Sequence, residues 1–203
     1  MTGGVTWALV ALGLLVVVVR RRSLAAGLLT AQALVLVAVA LSEATSGEDV
    51  VAAVALAARA VGLATLFFVL VSRTREPRPV RAGVAPLARA GVAVALALLL
   101  TWLIPTIGLE SRDAERAVLA LVAFGIATTA TRRATLFQVM GVVLVENGLA
   151  LAALKLPGVS SLAIELGVAL DLVLVVLVAA VFHERIFAEF GSGDSAVLRT
   201  LRD

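Results

Sequence analysis

Three ionisable side chains stand in the middle of long apolar stretches of the sequence: Glu146, Asp171 and Arg59. An ionisable group inside a membrane-spanning helix is costly unless it is paired or lines a wet cavity, so each is a candidate functional residue. Carboxylates can take up and release protons, whereas a guanidinium stays charged and acts only as a fixed countercharge. The pattern indicates proton or ion transfer in which Glu146 and Asp171 exchange the proton and Arg59 is their electrostatic partner.

The composition restricts the class of protein that can carry these groups. The chain has 203 residues, of which 62% are hydrophobic, and its mean hydropathy is +1.10. These values predict an integral membrane protein without a separate soluble domain. With no Cys and a single His, the chain cannot itself hold an iron–sulfur cluster or a thiolate metal site, so we expect no metal and no cofactor in it. Its arginines lie at the ends of apolar runs, which argues against nucleic-acid binding.

Apolar runs long enough to cross a bilayer core occur seven times along the chain. Runs without an alternating polar face favour helices over a barrel, because each backbone group must be satisfied within its own segment. We therefore predict an all-α, polytopic transmembrane bundle of seven helices, two of them short for a span. Their approximate bounds are Val5–Val19, Leu24–Leu41, Val50–Val71, Leu87–Ile104, Arg116–Thr131, Thr135–Leu154 and Leu162–Phe182.

The connections between these runs alternate in charge. Thirteen of the seventeen basic residues fall after the first, third, fifth and seventh runs, and this asymmetry places the N-terminus outside and the C-terminus in the cytoplasm. We expect one membrane domain over residues 1–190, followed by a cytoplasmic tail at 191–203. Within the domain, 1–80 holds three helices and a cytoplasmic loop, 81–110 holds the fourth helix, and 111–190 holds the last three.

The polar mid-span residues share one predicted depth. At about 1.5 Å per residue, Arg59 and Asp171 lie roughly 14 Å below the outer face, Glu146 roughly 12 Å and Gln32 roughly 16 Å. Glu165 lies about 5 Å deep and could form an outer stepping stone of the same path. Polar groups from four helices in one layer predict a hydrophilic belt near the bilayer centre, as a proton or ion relay requires.

A structural interpretation of the same residues stays open. A buried Glu–Arg pair can simply hold helices together, and Gln32 and Asn147 could form an interhelical hydrogen bond as readily as orient a carboxylate or hold water. Glycines on the helices are expected to permit close packing. They are Gly62, Gly91, Gly125, Gly141 and Gly167.

Two stretches, RRATLFQVMGVVLVENGLALAAL and IELGVALDLVLVVLVAAVFHERI, resemble the C-terminal part of the hydrogenase-4 component E family. This family comprises membrane subunits of formate-hydrogenlyase-type and other group 4, complex I-like hydrogenases. The last three helices look like the small three-helix subunit K of respiratory complex I and its counterpart in multisubunit cation/proton antiporters. The match is most specific at Glu146-Asn147-Gly148 and at Glu165-Leu166-Gly167 with Asp171 six residues after Glu165; less specifically, it covers nearly the whole chain.

The sequence departs from the family pattern at Arg59 and from the complex I subunit at two acidic positions. Arg59 stands where the family carries a lysine, which favours a permanent countercharge over a proton carrier at that position. Relative to the complex I subunit, the sixth-helix acid is shifted by about one turn, from the position of Val143 to Glu146, and stays on the same helix face. Asp171 lies one residue beyond the matching acid.

The resemblance implies a non-catalytic membrane-arm subunit of an energy-converting, complex I-like hydrogenase or related redox complex. Its partners would be antiporter-like and quinone-reductase-like membrane subunits and cytoplasmic redox subunits, which would carry iron–sulfur clusters and nickel–iron. The expected location is the bacterial cytoplasmic membrane. Two alternatives stay open: a subunit of a cation/proton antiporter or ion-coupled uptake complex, and a scaffold whose charged belt only joins helices.

Overall fold

Six helices make up nearly all of the chain that the structure covers. The computed structural model describes residues 3–73, 84–156 and Val176, and no strand occurs among them. Apart from Val176, the predicted seventh helix lies outside the described residues, as does the tail at 191–203. The helices are α1 (Gly3–Val18), α2 (Arg22–Glu43), α3 (Gly47–Arg73), α4 (Pro86–Leu103), α5 (Arg112–Thr131) and α6 (Thr135–Leu154).

The helix lengths agree with the apolar runs in the sequence. Five of them, α2 to α6, are long and apolar enough to cross a membrane, and α1 is a shorter apolar helix of 16 residues. The largest difference from prediction is at α5, which begins four residues earlier than expected because the Ser111 hydroxyl caps it by accepting a hydrogen bond from the Ala114 N–H at 3.2 Å. The chain is thus an all-helical, multi-pass membrane protein over the part described.

The closest helix packing joins α5 to α6 and depends on two glycines. A Cβ atom added at Gly125 would lie 2.5 Å from the Gly141 carbonyl oxygen, and one added at Gly141 would lie 2.8 Å from the Gly125 carbonyl oxygen. The prediction of close packing is therefore confirmed at these two positions. It is wrong for Gly62 and Gly91, where an added Cβ would meet nothing within 4 Å, and Gly167 lies outside the described residues.

Side-chain contacts at the two ends of the bundle show which helix ends lie next to each other. Arg132, which follows α5, donates to the Val17 carbonyl oxygen at the end of α1, and Arg89 in the first turn of α4 reaches Val18. We call this the arginine end of the bundle. At the opposite end, which we call the lysine end, Lys155 after α6 contacts Glu43 at the end of α2. Successive helices therefore run antiparallel.

The connection from α4 to α5 is organised by one carboxylate. Glu115 Oε1 accepts hydrogen bonds from the backbone N–H groups of Ile107, Gly108 and Leu109 at 2.9 to 3.3 Å, and from the Thr106 hydroxyl at 3.0 Å. Gly108 supplies the left-handed backbone conformation of this turn, with a φ of 83°. The turn fixes where α5 enters the bundle.

Candidate functional site

A chain of buried hydrogen bonds links four helices in the interior of the bundle. Arg59 Nη2 on α3 donates to Asn147 Oδ1 on α6 at 2.8 Å, and Asn147 Nδ2 donates to Gln32 Oε1 on α2 at 2.9 Å. Gln32 Nε2 then donates to the Leu9 carbonyl oxygen on α1 at 2.9 Å. We call these four residues the amide network. Gln32 and Asn147 are completely shielded from solvent, and Arg59 is 7% exposed.

The chemistry of the end groups gives the amide network a single direction. A guanidinium has only donors, so Asn147 must turn its carbonyl oxygen toward Arg59 and its NH₂ group toward Gln32. At the other end, the Leu9 carbonyl can only accept, which fixes the Gln32 amide in the matching orientation. Reversing the order of donors and acceptors would need an acceptor on Arg59 and a donor on the Leu9 carbonyl. The network is therefore a fixed support for Arg59.

Local packing on α1 and α2 admits the Gln32 amide. Gln32 lies midway along α2, and Gly13 on α1 stands beside it, where an added Cβ would lie 3.3 Å from Gln32 Nε2 and 2.8 Å from Leu121 Cδ2. The Leu9 carbonyl is also the normal helical acceptor for the Gly13 N–H, and its second lone pair accepts from Gln32. Sequence reasoning missed both Gly13 and Leu9, since a backbone acceptor leaves no mark in the residue pattern.

Glu146 lies next to the network on α6 and interacts with Arg59. Its carboxylate is partly buried and attracts the Arg59 guanidinium electrostatically. The structure thus brings together four of the predicted site residues, three by hydrogen bonds and Glu146 by charge. The other two, Asp171 and Glu165, lie outside the described residues. Arg59 therefore has two neighbours on α6: Asn147, which binds it to the rest of the amide network, and Glu146, whose negative charge attracts it.

A second polar cluster, at the arginine end, was not predicted from the sequence. Arg132 was assigned to a loop, but its side chain is 6% exposed and lies 3.9 Å from the centroid of the Phe137 ring. It donates to the carbonyl oxygens of Val17, at 3.0 Å, and Val19. Arg89 was counted with the basic residues that follow the third run, although the fourth run already begins at Leu87. It lies in the first turn of α4 with no exposed surface, and its Nη2 is 3.4 Å from the Val18 carbonyl oxygen.

The lysine end contains a third cluster, built on a residue that the sequence placed in an outer loop. Lys155 Nζ lies 2.6 Å from each Glu43 carboxylate oxygen and 3.3 Å from Glu110 Oε2, and the residue is 3% exposed. Burial alone would lower the pKa of Lys155, but the hydrogen bonds to Glu43 and Glu110 and their negative charges outweigh it and raise that pKa above its ordinary value. The cluster joins α2, α6 and the connection before α5.

No group of three His, Cys, Asp or Glu side chains suited to a metal ion occurs among residues 3–73 and 84–156.

Similarity to known proteins is limited. The chain is 33% identical, over 102 residues, to the uncharacterized protein Rv0085 of Mycobacterium tuberculosis. The matched stretch covers 49% of this chain and 46% of that protein, so the chain spans about half the length of this relative. No family model and no solved structure matches the chain.

Proposed function

We propose that this chain is a non-catalytic membrane-arm subunit of an energy-converting, complex I-like hydrogenase or related redox complex, of the hydrogenase-4 component E type. It supplies carboxylates to a transmembrane proton path. The observation that carries the proposal is the interaction of Glu146 with Arg59, a cation that the amide network holds in the interior of the bundle. A buried acid and a fixed cation in the middle of spanning helices are typical of proton-translocating membrane proteins.

Each residue has a separate role in this proposal. Glu146 takes up and releases the proton, because it is a titratable carboxylate in the interior. Arg59 cannot release its proton, so its charge stabilises the carboxylate after each release. Asn147 and Gln32 position Arg59 through their hydrogen bonds and carry no proton themselves. Asp171 is the second exchanging carboxylate and Glu165 the step toward the outer surface, as the resemblance implies.

The proposed orientation follows from the charges at the helix ends. The arginine end contains Arg89 and Arg132 close to the end of α1, where Arg20 to Arg22 follow in the sequence. By the positive-inside rule this end faces the cytoplasm, with the N-terminus outside. A seventh helix over Leu162–Phe182 then returns the C-terminus to the cytoplasm. Antiporter-like and quinone-reductase-like membrane subunits flank the chain, and cytoplasmic subunits carry the iron–sulfur clusters and nickel–iron, in a bacterial cytoplasmic membrane.

The test is made on the assembled complex, with proton translocation and electron transfer measured separately. Glu146→Gln and Asp171→Asn are each expected to abolish or strongly reduce proton translocation per electron while the complex still assembles and oxidises its donor. Glu48→Gln, at an exposed acid in the first turn of α3, is the matched control and should leave translocation unchanged. Intact coupling in both neutral variants would refute the relay. A stable complex without any iron–sulfur or nickel-bearing subunit would favour the antiporter alternative.

A second candidate, a scaffold role, is favoured by one observation. Each of the four polar side-chain atoms of Gln32 and Asn147 has a partner within the chain or its backbone, as expected of groups that hold helices together. The same variants separate the two functions. A scaffold predicts that Glu146→Gln leaves translocation unchanged in every complex that assembles, whereas the relay predicts that assembled complexes lose it.

A further inference from the structure

Two buried guanidinium groups at the arginine end keep hydrogen-bond donors that nothing in the described chain accepts. In Arg89, Nε and Nη1 are buried without a partner, and in Arg132, Nε is buried without one. Together they present one Nε–H and two Nη1–H donors of Arg89 and one Nε–H donor of Arg132. Buried donors are nearly always satisfied in folded proteins, so a group of four in one region calls for an acceptor.

Capping of α1 explains only part of this arrangement. The last carbonyl groups of a helix lack helical partners and carry partial negative charge, and Nη2 of each arginine points to such carbonyls at Val17, Val18 and Val19. That accounts for one nitrogen of each guanidinium. The Phe137 ring lies against the Arg132 guanidinium group and attracts its charge. The ring does not supply the hydrogen-bond acceptor that the Nε–H of Arg132 lacks.

The described residues also leave the charges of these two guanidiniums without a carboxylate partner. No carboxylate among the described residues pairs with Arg89 or Arg132, and the nearby Arg20 guanidinium repels Arg89. Two buried cations with a third beside them cost free energy unless an anion joins them. The partial charge of one helix end amounts to about half an elementary charge, which is less than these cations require.

We propose that Arg89 and Arg132 bind a phosphate group between the start of α4 and the ends of α1 and α5. A phosphate has negative charge and several acceptor oxygens for the unused N–H donors, and arginine is the side chain best suited to it. The group would be enclosed together with the two guanidiniums, which are almost completely shielded from water.

The position of the site favours an anionic phospholipid as the source of the phosphate. Both arginines lie at the ends of spanning helices, at the level of lipid headgroups, and basic pockets between such helices bind acidic lipids. α4 is the least buried of the five long helices, and Leu87, two residues before Arg89, is 86% exposed. A lipid whose acyl chains lie along α4 would bring its phosphate to Arg89. A carboxylate from a partner protein could bind the arginines without an exposed apolar surface beside them, so the exposure of α4 favours a lipid.

The experiment uses the full chain in neutral detergent micelles and titrates three additives at constant ionic strength. These are phosphatidylglycerol, zwitterionic phosphatidylcholine and inorganic phosphate, and the readout is the shift of the thermal unfolding midpoint. The wild type should gain more stability from phosphatidylglycerol than from phosphatidylcholine. A response to inorganic phosphate of the same size would instead identify a free phosphate as the ligand. A wild type that responds to neither anionic additive would overturn the site and leave a partner carboxylate as the missing acceptor.

Variants locate the effect. Arg89→Gln and Arg132→Gln should each weaken the apparent affinity for phosphatidylglycerol about tenfold, as expected for the loss of roughly 1.4 kcal/mol. Arg116→Gln is the control, because this arginine is far more exposed, with 56% of its side chain accessible, and lies beside Asp113. Equal weakening in the control would mean that only net charge attracts the lipid and would contradict the site. Should a variant fail to fold, the wild-type titrations still decide the outcome.

Discussion

Arg59 and Arg89 are both arginines buried within apolar helices, but their surroundings differ. Arg59 donates to the amide oxygen of Asn147, a side chain on another helix, and the acidic Glu146 attracts it. Arg89 has one long contact, at 3.4 Å, to the Val18 carbonyl oxygen, and its other two nitrogens are buried without acceptors. The described residues supply Arg59 with a side-chain acceptor and an acidic neighbour, but they leave two buried nitrogens of Arg89 without an acceptor.

The difference separates two uses of buried charge. A polar group whose partners all come from the same chain fixes the arrangement of its helices, and removing one partner leaves the rest uncompensated. A polar group without partners adds little to the fold by itself and indicates a ligand or neighbour that completes it. The amide network belongs to the first kind and the arginine end to the second. Four substitutions test this distinction, from the largest expected effect to the smallest.

Arg59→Leu should have the largest effect on the fold. It leaves the Asn147 oxygen without its donor and the Glu146 carboxylate without its attracting cation, so we expect the free energy of unfolding to fall by about 3 kcal/mol. Arg59→Lys keeps the charge and should lose about 1 kcal/mol, because a lysine has one donor group in place of the planar fork. Unfolding by dodecyl sulfate in mixed micelles measures both. A Leu variant as stable as the wild type would remove Arg59 from the network.

Asn147→Leu tests whether the network acts as a unit. The substitution deprives Arg59 of an acceptor and Gln32 Oε1 of a donor at once, so we expect a loss of about 2 kcal/mol in the same assay. Thr65→Val is the control, since the Thr65 hydroxyl is exposed and bonds only within its own helix, and its effect should stay within about 0.5 kcal/mol. Equal effects of the two substitutions would mean that the interhelical hydrogen bonds add nothing to stability.

Lys155→Met tests a buried cation whose partners within the chain are the carboxylates of Glu43 and Glu110, not amide groups. The variant loses the contacts with Glu43 and Glu110 and should be less stable by about 1 kcal/mol near neutral pH. Because the pKa of Lys155 is raised in the folded chain, this stabilisation is fully present below the pKa of an unfolded lysine, about 10.4, and is lost as the pH rises through the folded value.

The measurement compares wild type and Lys155→Met from about pH 8 upward in mixed micelles. The difference in unfolding free energy should stay constant up to about pH 10 and then shrink toward zero. A difference that stayed unchanged well above pH 10 would assign the stabilisation to packing of the lysine chain and not to its charge.

The sequence was sufficient for the features that depend on one helix at a time. Helix bounds follow from the length of apolar runs, and the depths of Gln32, Arg59 and Glu146 follow from the helical rise, so their meeting in one region of the bundle could be anticipated. Features that depend on which helix faces which could not be anticipated. Gly62 has the same sequence signature as Gly125, yet only Gly125 meets a neighbouring backbone.

The misplacement of Arg89 and Lys155 has a related cause. Charged residues at the ends of apolar runs normally extend into water or headgroups, so both were counted with the basic residues of the connections between runs. In the structure, groups from neighbouring helix ends contact them. Arg89 lies against the last carbonyl groups of α1, and Lys155 contacts Glu43 and Glu110. The enclosing groups come from distant parts of the chain, and nothing in the local pattern reveals them.

Arg89→Gln should have the smallest effect and separates the two kinds of buried charge most directly. In neutral detergent without added phosphate or acidic lipid, the substitution removes a cation that no carboxylate in the described chain compensates and that Arg20 repels. The long contact to the Val18 carbonyl offsets part of this relief, so we expect the unfolding free energy to change by less than about 0.5 kcal/mol. A loss as large as that of Arg59→Leu would mean that the chain completes both arginines, and the distinction between them would fail. A small change without lipid, combined with loss of the stabilisation by phosphatidylglycerol, would place the missing partner of Arg89 outside the chain.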